Sequence, residues 1–184
     1  MKEIQARHPD KKLELWFQDE SRIGQKGSRT RTWAGKGTRP VGPVDTRYAN
    51  AYLFGAFCPE RDVGVALVLP YVNTEAMRLH LEETSRHVPE GVHAVMFLDG
   101  AAWHTTAKLA VPENISIVKV PPYAPDCNPA EKPWQYIKDN FLSGRIFESY
   151  EEIVEAACDA WRKLAAEAGR IAALTGFLSI YQII

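Results

Sequence analysis

Polar and apolar residues alternate over residues 13–18 (Leu-Glu-Leu-Trp-Phe-Gln), which puts Leu13, Leu15 and Phe17 on one face and predicts a strand. Two more strands are predicted at about 48–58 and 63–69, with Pro59-Glu60-Arg61-Asp62 as the turn between them. Residues 92–98 are almost continuously apolar, as expected of a strand covered on both faces, and a shorter strand follows at 115–119. Helical spacing predicts helices at about 75–87, capped by Asn73 or Thr74, near 104–110, at about 129–141 and at about 150–166. The last opens on the capping box Ser149-x-x-Glu152 and carries an apolar stripe of Ile153, Ala157, Ala160, Trp161 and Leu164. Residues 121–126 are too proline-dense for regular structure and read as a rigid loop. Three early strands, a helix, a central strand and further helices describe an α/β domain with a mixed sheet. It is expected to span residues 13–168, after a short leader at 1–12 and before an apolar tail at 169–184 that serves as core or as a partner surface.

A chain of 184 residues can bury one full core. Its formal net charge is only -1, so nucleic-acid binding cannot be argued from the total and must rest on distribution. Residues 21–47 are the exception. They hold Arg22, Lys26, Arg29, Arg31, Lys36, Arg39 and Arg47 against the single acid Asp45. This stretch reads as a loop followed by a β-hairpin around Trp33, turning at Ala34-Gly35-Lys36-Gly37. A run of charge is by itself a solvated loop; with a tryptophan inside it and an acid just before it, the run reads as a wall that grips phosphates. Trp16, Trp134 and Trp161 have apolar neighbours and are expected in the core. Cys58, Cys127 and Cys158 form no C-x-x-C pair and no disulfide framework, which fits a reducing compartment. The polar N-terminus lacks a signal-peptide core and no apolar run is long enough to span a bilayer, so a cytoplasmic protein without membrane contact is expected.

Three acids stand at the edges of predicted elements. Asp19 and Asp99 follow apolar strand-like runs, and Glu131 opens a helix. Taken singly, an Asp after a strand is a turn former. Glu131 has its own structural reading as the third helical residue behind Asn128 and Pro129, although Pro133 would shift the start of that helix toward Lys132. Taken together, three carboxylates at the carboxyl edge of a sheet are suited to holding a pair of divalent cations for phosphodiester chemistry. Glu20 should face away from Asp19 and act, if at all, beside the site. His104 is either a helix-terminal histidine satisfied by backbone or a neighbour of the scissile phosphate.

The segments around these acids resemble the catalytic core of DDE transposases of the mariner and insertion-sequence-630 superfamily. The matching stretches are Trp16-Phe17-Gln18-Asp19-Glu20-Ser21, Leu98-Asp99-Gly100-Ala101-Ala102-Trp103-His104, and the run from Pro121 through Asn128-Pro129-Ala130-Glu131-Lys132-Pro133-Trp134. The resemblance covers roughly residues 12 to 165, with Ala124 and Cys127 departing from the family's commoner Ser and Leu. It implies an RNase H-like fold, a central mixed sheet flanked by helices. In that fold Asp19, Asp99 and Glu131 would bind two Mg²⁺ or Mn²⁺ ions. Arg22, Lys26, Arg29, Arg31, Lys36 and His104 are then expected against DNA, with Glu20, His104 and Asn128 around the ligands. The implied activity is metal-dependent cleavage and transfer of DNA strands, as the catalytic part of a cut-and-paste transposase. Its partners would be transposon ends and target DNA, a second copy of the chain on that DNA, and a separate polypeptide carrying a helix-turn-helix. A nuclease of the same fold without transfer activity, and a non-catalytic DNA-binding or dimerisation remnant, are the alternatives.

Overall fold

The computed structural model describes residues 1–25, 34–38, 46–100, 109–120 and 128–176. The chain begins with a short helix, α1 (Lys2–Arg7), where the sequence suggested only a leader. Strand β1 (Lys12–Gly24) runs well past the predicted end at residue 18. It pairs antiparallel with β2 (Asn50–Cys58), which pairs antiparallel with β3 (Val63–Leu69). On its other side β1 pairs parallel with β4 (Val92–Leu98), and β4 with β5 (Ile115–Lys119). The sheet order is therefore β3-β2-β1-β4-β5. The helix α2 (Thr74–Arg86) starts where expected, with the Asn73 side chain accepting from the Ala76 N–H at 2.8 Å.

The extension of β1 has a simple cause. Residues 18–24 have lost β4, whose last pair with β1 is Phe17 with Phe97, yet they keep β2 as a partner down to Gly24 opposite Asn50. Tertiary pairing overrides a stretch (Asp19 to Arg22) whose composition alone reads as a turn. Asp19 is thus not at the end of its own strand; it stands where the parallel neighbour leaves off.

The two faces of the sheet carry separate cores. Trp16, Phe54, Ala56, Met96 and Leu98 pack with Met77 and Leu81 of α2. Phe17, Ile23, Leu53 and Phe57 pack instead with Trp134 and Ile137 of α3 (Glu131–Ile137) and with Ile153, Ala157 and Leu164 of α4 (Tyr150–Ala166). Trp16 and Trp134 are core residues, and Trp161 packs against that second cluster. The helix α4 occupies the predicted residues, and Ser149 Oγ accepts from the Glu152 N–H at 3.1 Å. Beyond it, α5 (Arg170–Thr175) buries Ile171. Cys58 and Cys158 are free thiols, and burial pushes the Cys58 thiol up to about 11. Among the described residues no helix is long and apolar enough to cross a membrane.

Several expected features lie outside the described residues: the hairpin strands around Trp33, the short helix near His104 and the proline-rich loop at 121–126. The turn at Lys36-Gly37 is present, closed by Thr38 N–H to the Gly35 carbonyl at 2.9 Å.

Candidate active site

Because β1, β4 and β5 are parallel, their carboxyl ends share one edge of the sheet, the edge where ligands gather in open α/β folds. Asp99 is the first residue after β4. Asp19 lies two residues beyond the last β1–β4 pair, and it alternates with Phe17 and Ser21, so it faces α3 and α4. Glu131 is the first residue of α3, which lies on that same face. The three acids that the sequence singled out therefore come from three separate elements at one edge.

The helix start also resolves the position of Pro133. With Glu131 as the first helical residue, Pro133 is the third, and the first four N–H groups of a helix have no partner within it. A proline there removes no helical hydrogen bond. Asn128 is not the helix cap itself: Ala130 occupies that position, and Asn128 Oδ1 accepts from the Ala130 N–H at 3.2 Å to shape the turn leading in. Its amide Nδ2 donates across to the Gln18 carbonyl at 2.9 Å.

Electrostatics tie the acids together. Asp19 is pushed up to about 7, first by burial and then by the negative charges of Glu20, Glu131 and Asp99, against a lowering hydrogen bond from the Glu20 backbone. Asp99 and Glu131 are exposed. Among the described residues no three His, Cys, Asp or Glu side chains stand close enough to hold a metal ion as they are. The carboxylates share an edge and repel, without forming a closed cage. A divalent cation would relieve that repulsion, and three carboxylates offer the hard oxygen donors that Mg²⁺ and Mn²⁺ prefer.

Glu20 shares the opposite face with Trp16 and Gln18, and it accepts from Gln18 Nε2 at 3.1 Å. Arg22 follows the same alternation, so it is exposed on the side away from Asp19, within a strand and not in a loop. Lys36 is exposed in its turn. Lys26, Arg29, Arg31 and His104 lie outside the described residues. Arg47, part of the same basic stretch, is turned to structure: its guanidinium pairs with Glu148 at 3.0 Å and donates to the Phe147 carbonyl at 2.8 Å.

Sequence reasoning passed over two residues. Lys138 stands seven residues, about two helical turns, after Glu131 and therefore on its face. Although the residue is exposed overall, partial burial of its ammonium pushes its pKa down, and the charge of Asp19 opposes that fall. Its spacing from Glu131 was the available signal. Gly55 is the cross-strand partner of Asp19, and a Cβ there would come within 2.3 Å of Trp134 Cη2. No local pattern reveals that requirement, because it depends on a helix some 80 residues away.

The order β3-β2-β1-β4-β5 with its acidic edge is an RNase H-like arrangement. The chain belongs to the DDE superfamily endonuclease family, which it matches over residues 14–154. A curated relative, the uncharacterized protein y4pE/y4sA of Sinorhizobium fredii (strain NBRC 101917 / NGR234), is 51% identical over 121 residues, covering 66% of this chain and 90% of that protein. Among solved structures, the Mos1 transposase paired-end complex with left transposon end is similar with a TM-score of 0.65 at 17% identity, over 95% of this chain and 55% of Mos1. The Mos1 mariner paired end complex with Mn gives 0.64, again at 17% identity, over 93% of this chain and 54% of Mos1. The chain thus spans about half the length of Mos1, and the likeness establishes a transposase-like fold.

Proposed function

We propose that this chain is the catalytic domain of a cut-and-paste DNA transposase, cleaving and transferring DNA strands with divalent cations held between Asp19, Asp99 and Glu131. The observation that carries this reading is the convergence of the three acids on one sheet edge, close enough that Asp99 and Glu131 both raise the pKa of Asp19. Two ions bound there would activate a water or a DNA 3′-hydroxyl and stabilise the leaving oxygen. The protein's own part is to bring three carboxylates together, Asp19 from within β1, Asp99 from just after β4 and Glu131 from the start of α3, so that divalent cations would meet hard oxygen donors at one edge. Lys138, the residue directly after α3 and two turns on from Glu131, adds a cation beside this acidic edge, where a DNA phosphate would need one. Lys26, Arg29, Arg31 and Lys36 of the basic stretch are assigned to the DNA backbone, while Arg22, on the face away from Asp19, and Arg47, paired with Glu148, are not.

The Mos1 structures support the reading in their own terms: they are complexes with transposon ends, one of them described with Mn and another with Mg. The test is a nicking and strand-joining assay on labelled DNA with Mg²⁺ or Mn²⁺. Joined products are expected from the wild-type chain and none from Asp99→Ala. Cleavage without joining would leave a nuclease of the same fold, and cleavage retained by Asp99→Ala would sink the assignment of the site.

A further inference from the structure

We propose that Asn128 is a positioning residue that sets Glu131 against Asp19, with Trp134 seated on Gly55 as the second half of the same dock. The inference rests on the reading above, in which these carboxylates share divalent cations.

The helix α3 continues past Ile137 as a π-helical turn over Lys138–Leu142, but its N-cap residue Ala130 offers no side-chain cap at the end that carries Glu131. Something else must fix where its first residue stands. Asn128 supplies one point of attachment. Its Oδ1 shapes the approach to the helix by accepting from Ala130, and its Nδ2 reaches across to the Gln18 carbonyl, 2.9 Å away and one residue before Asp19. That carbonyl belongs to the stretch of β1 beyond its last pair with β4. A purely capping role would need only the Ala130 contact; the bond to β1 is what capping leaves unexplained.

Trp134 supplies the other point. It lies one turn after Glu131, with its ring over Gly55 and edge-on to Phe57 at 5.2 Å between centroids. Its buried indole N–H has no acceptor among the described residues, and its ring is placed by packing on Gly55 and Phe57. Gly55 is directly opposite Asp19 in the β1–β2 ladder. The two attachments therefore fall beside Asp19 and across from it, while Glu131 lies between Asn128 and Trp134 in the chain. Core packing of Ile137 holds the far end of the helix, and these two attachments leave its first turn little freedom along or across the sheet. Because ligands must be held within a fraction of an ångström to bind a hard cation well, this dock governs metal affinity more than it governs folding.

Direct Mn²⁺ binding to the full chain without DNA, followed by electron paramagnetic resonance, tests this together with thermal melts. Asn128→Ser keeps a short acceptor for Ala130 and adds no charge, but cannot reach Gln18. It is expected to bind Mn²⁺ about tenfold more weakly, in line with losses seen for residues that orient metal ligands, with its Tm within about 3 °C of wild type. Wild-type affinity in this variant would overturn the proposal. Should Asn128→Ser fail to fold, Trp134→Phe, which keeps an aromatic ring but opens the space over Gly55, is expected to show the same loss, and wild-type affinity there would overturn it equally. Asp99→Ala separates the two levels. If it loses Mn²⁺ binding while the Asn128 variant does not, only the positioning role falls. If the wild-type chain binds no Mn²⁺, or Asp99→Ala binds as well as wild type, the metal site falls and the dock's purpose with it.

Discussion

Trp134 lies directly over Gly55, and Gly55 is the residue paired with Asp19 across β1 and β2. The glycine is required by space: a Cβ would approach Trp134 Cη2 to 2.3 Å and Cζ2 to 2.6 Å, distances at which something must move. Gly55→Ala is therefore expected to destabilise the fold by about 1–3 kcal/mol, the usual cost of overpacking. In a domain of this size that lowers Tm by several degrees. The partner test is Trp134→Phe in the Gly55→Ala background, where part of the loss should return. Strictly additive losses in the double variant would mean the two residues do not press on each other.

The raised carboxyl of Asp19 makes a signed prediction about pH. Its folded value of about 7 lies above the ordinary value of 3.8, so the folded state holds this proton more tightly than the unfolded chain does. Stability therefore falls as pH rises from about 4 to about 7, and above that the penalty is full and constant. Asp19→Asn removes the penalty. In the presence of a chelator it should melt several degrees above wild type at pH 8 and close to wild type near pH 4. An equal difference at both pH values would show that burial and the neighbouring charges of Glu20, Glu131 and Asp99 do not act on Asp19 as described.

Much of this was legible in the sequence, and the exceptions share a cause. The spans 63–69, 92–98, 115–119 and 150–166 follow from apolar periodicity and turn residues, and the structure places elements at those residues. The three acids stood out for a different reason: Asp19 and Asp99 each follow an apolar strand-like run, and Glu131 follows a Pro- and Asn-bearing stretch that opens a helix. What the sequence could not give was anything set by a distant partner. Residues 19–24 became strand because β2 pairs with them, Arg47 became an anchor because Glu148 and Phe147 lie nearby, and Gly55 became obligatory because Trp134 covers it. The helix at Lys2–Arg7 escaped notice because it is short and mostly polar, with Ile4 as its one buried residue.

The root of the basic segment offers a test of how that segment is presented. Gln25 and Ala49, at its two ends, are joined by the Gln25 N–H to the Ala49 carbonyl and by the Ala49 N–H to Gln25 Oε1, at 3.0 and 3.1 Å. Gln25 Nε2 then donates to the Phe147 carbonyl at 2.8 Å, where Arg47 also binds. Gln25→Ala takes the acceptor from the Ala49 N–H and leaves the Phe147 carbonyl with Arg47 as donor, which should cost about 1 kcal/mol. It should also loosen the segment, so that limited proteolysis cuts between residues 26 and 46 faster than in the wild-type chain. Unchanged cleavage rates would argue that the segment is held by something other than its root.

Lys138 carries the last prediction. Its ammonium loses hydration and is compensated in part by Asp19, so each group influences the proton of the other. Coulombic coupling is mutual: a cation that gains from a carboxylate must also favour that carboxylate's ionised form. Replacing Lys138 with Met keeps the apolar stem and removes the charge. The Asp19 carboxyl, already raised by burial and by three acidic neighbours, should then titrate at still higher pH, as followed by carbon-13 NMR of the carboxyl group in metal-free protein. The effect should shrink as salt is added if solvent lies between the two groups, and persist if they are shielded from it. A titration midpoint that stays in place, or moves down, would mean that Lys138 does not face the acidic edge, and would remove it from any role in holding a DNA phosphate there.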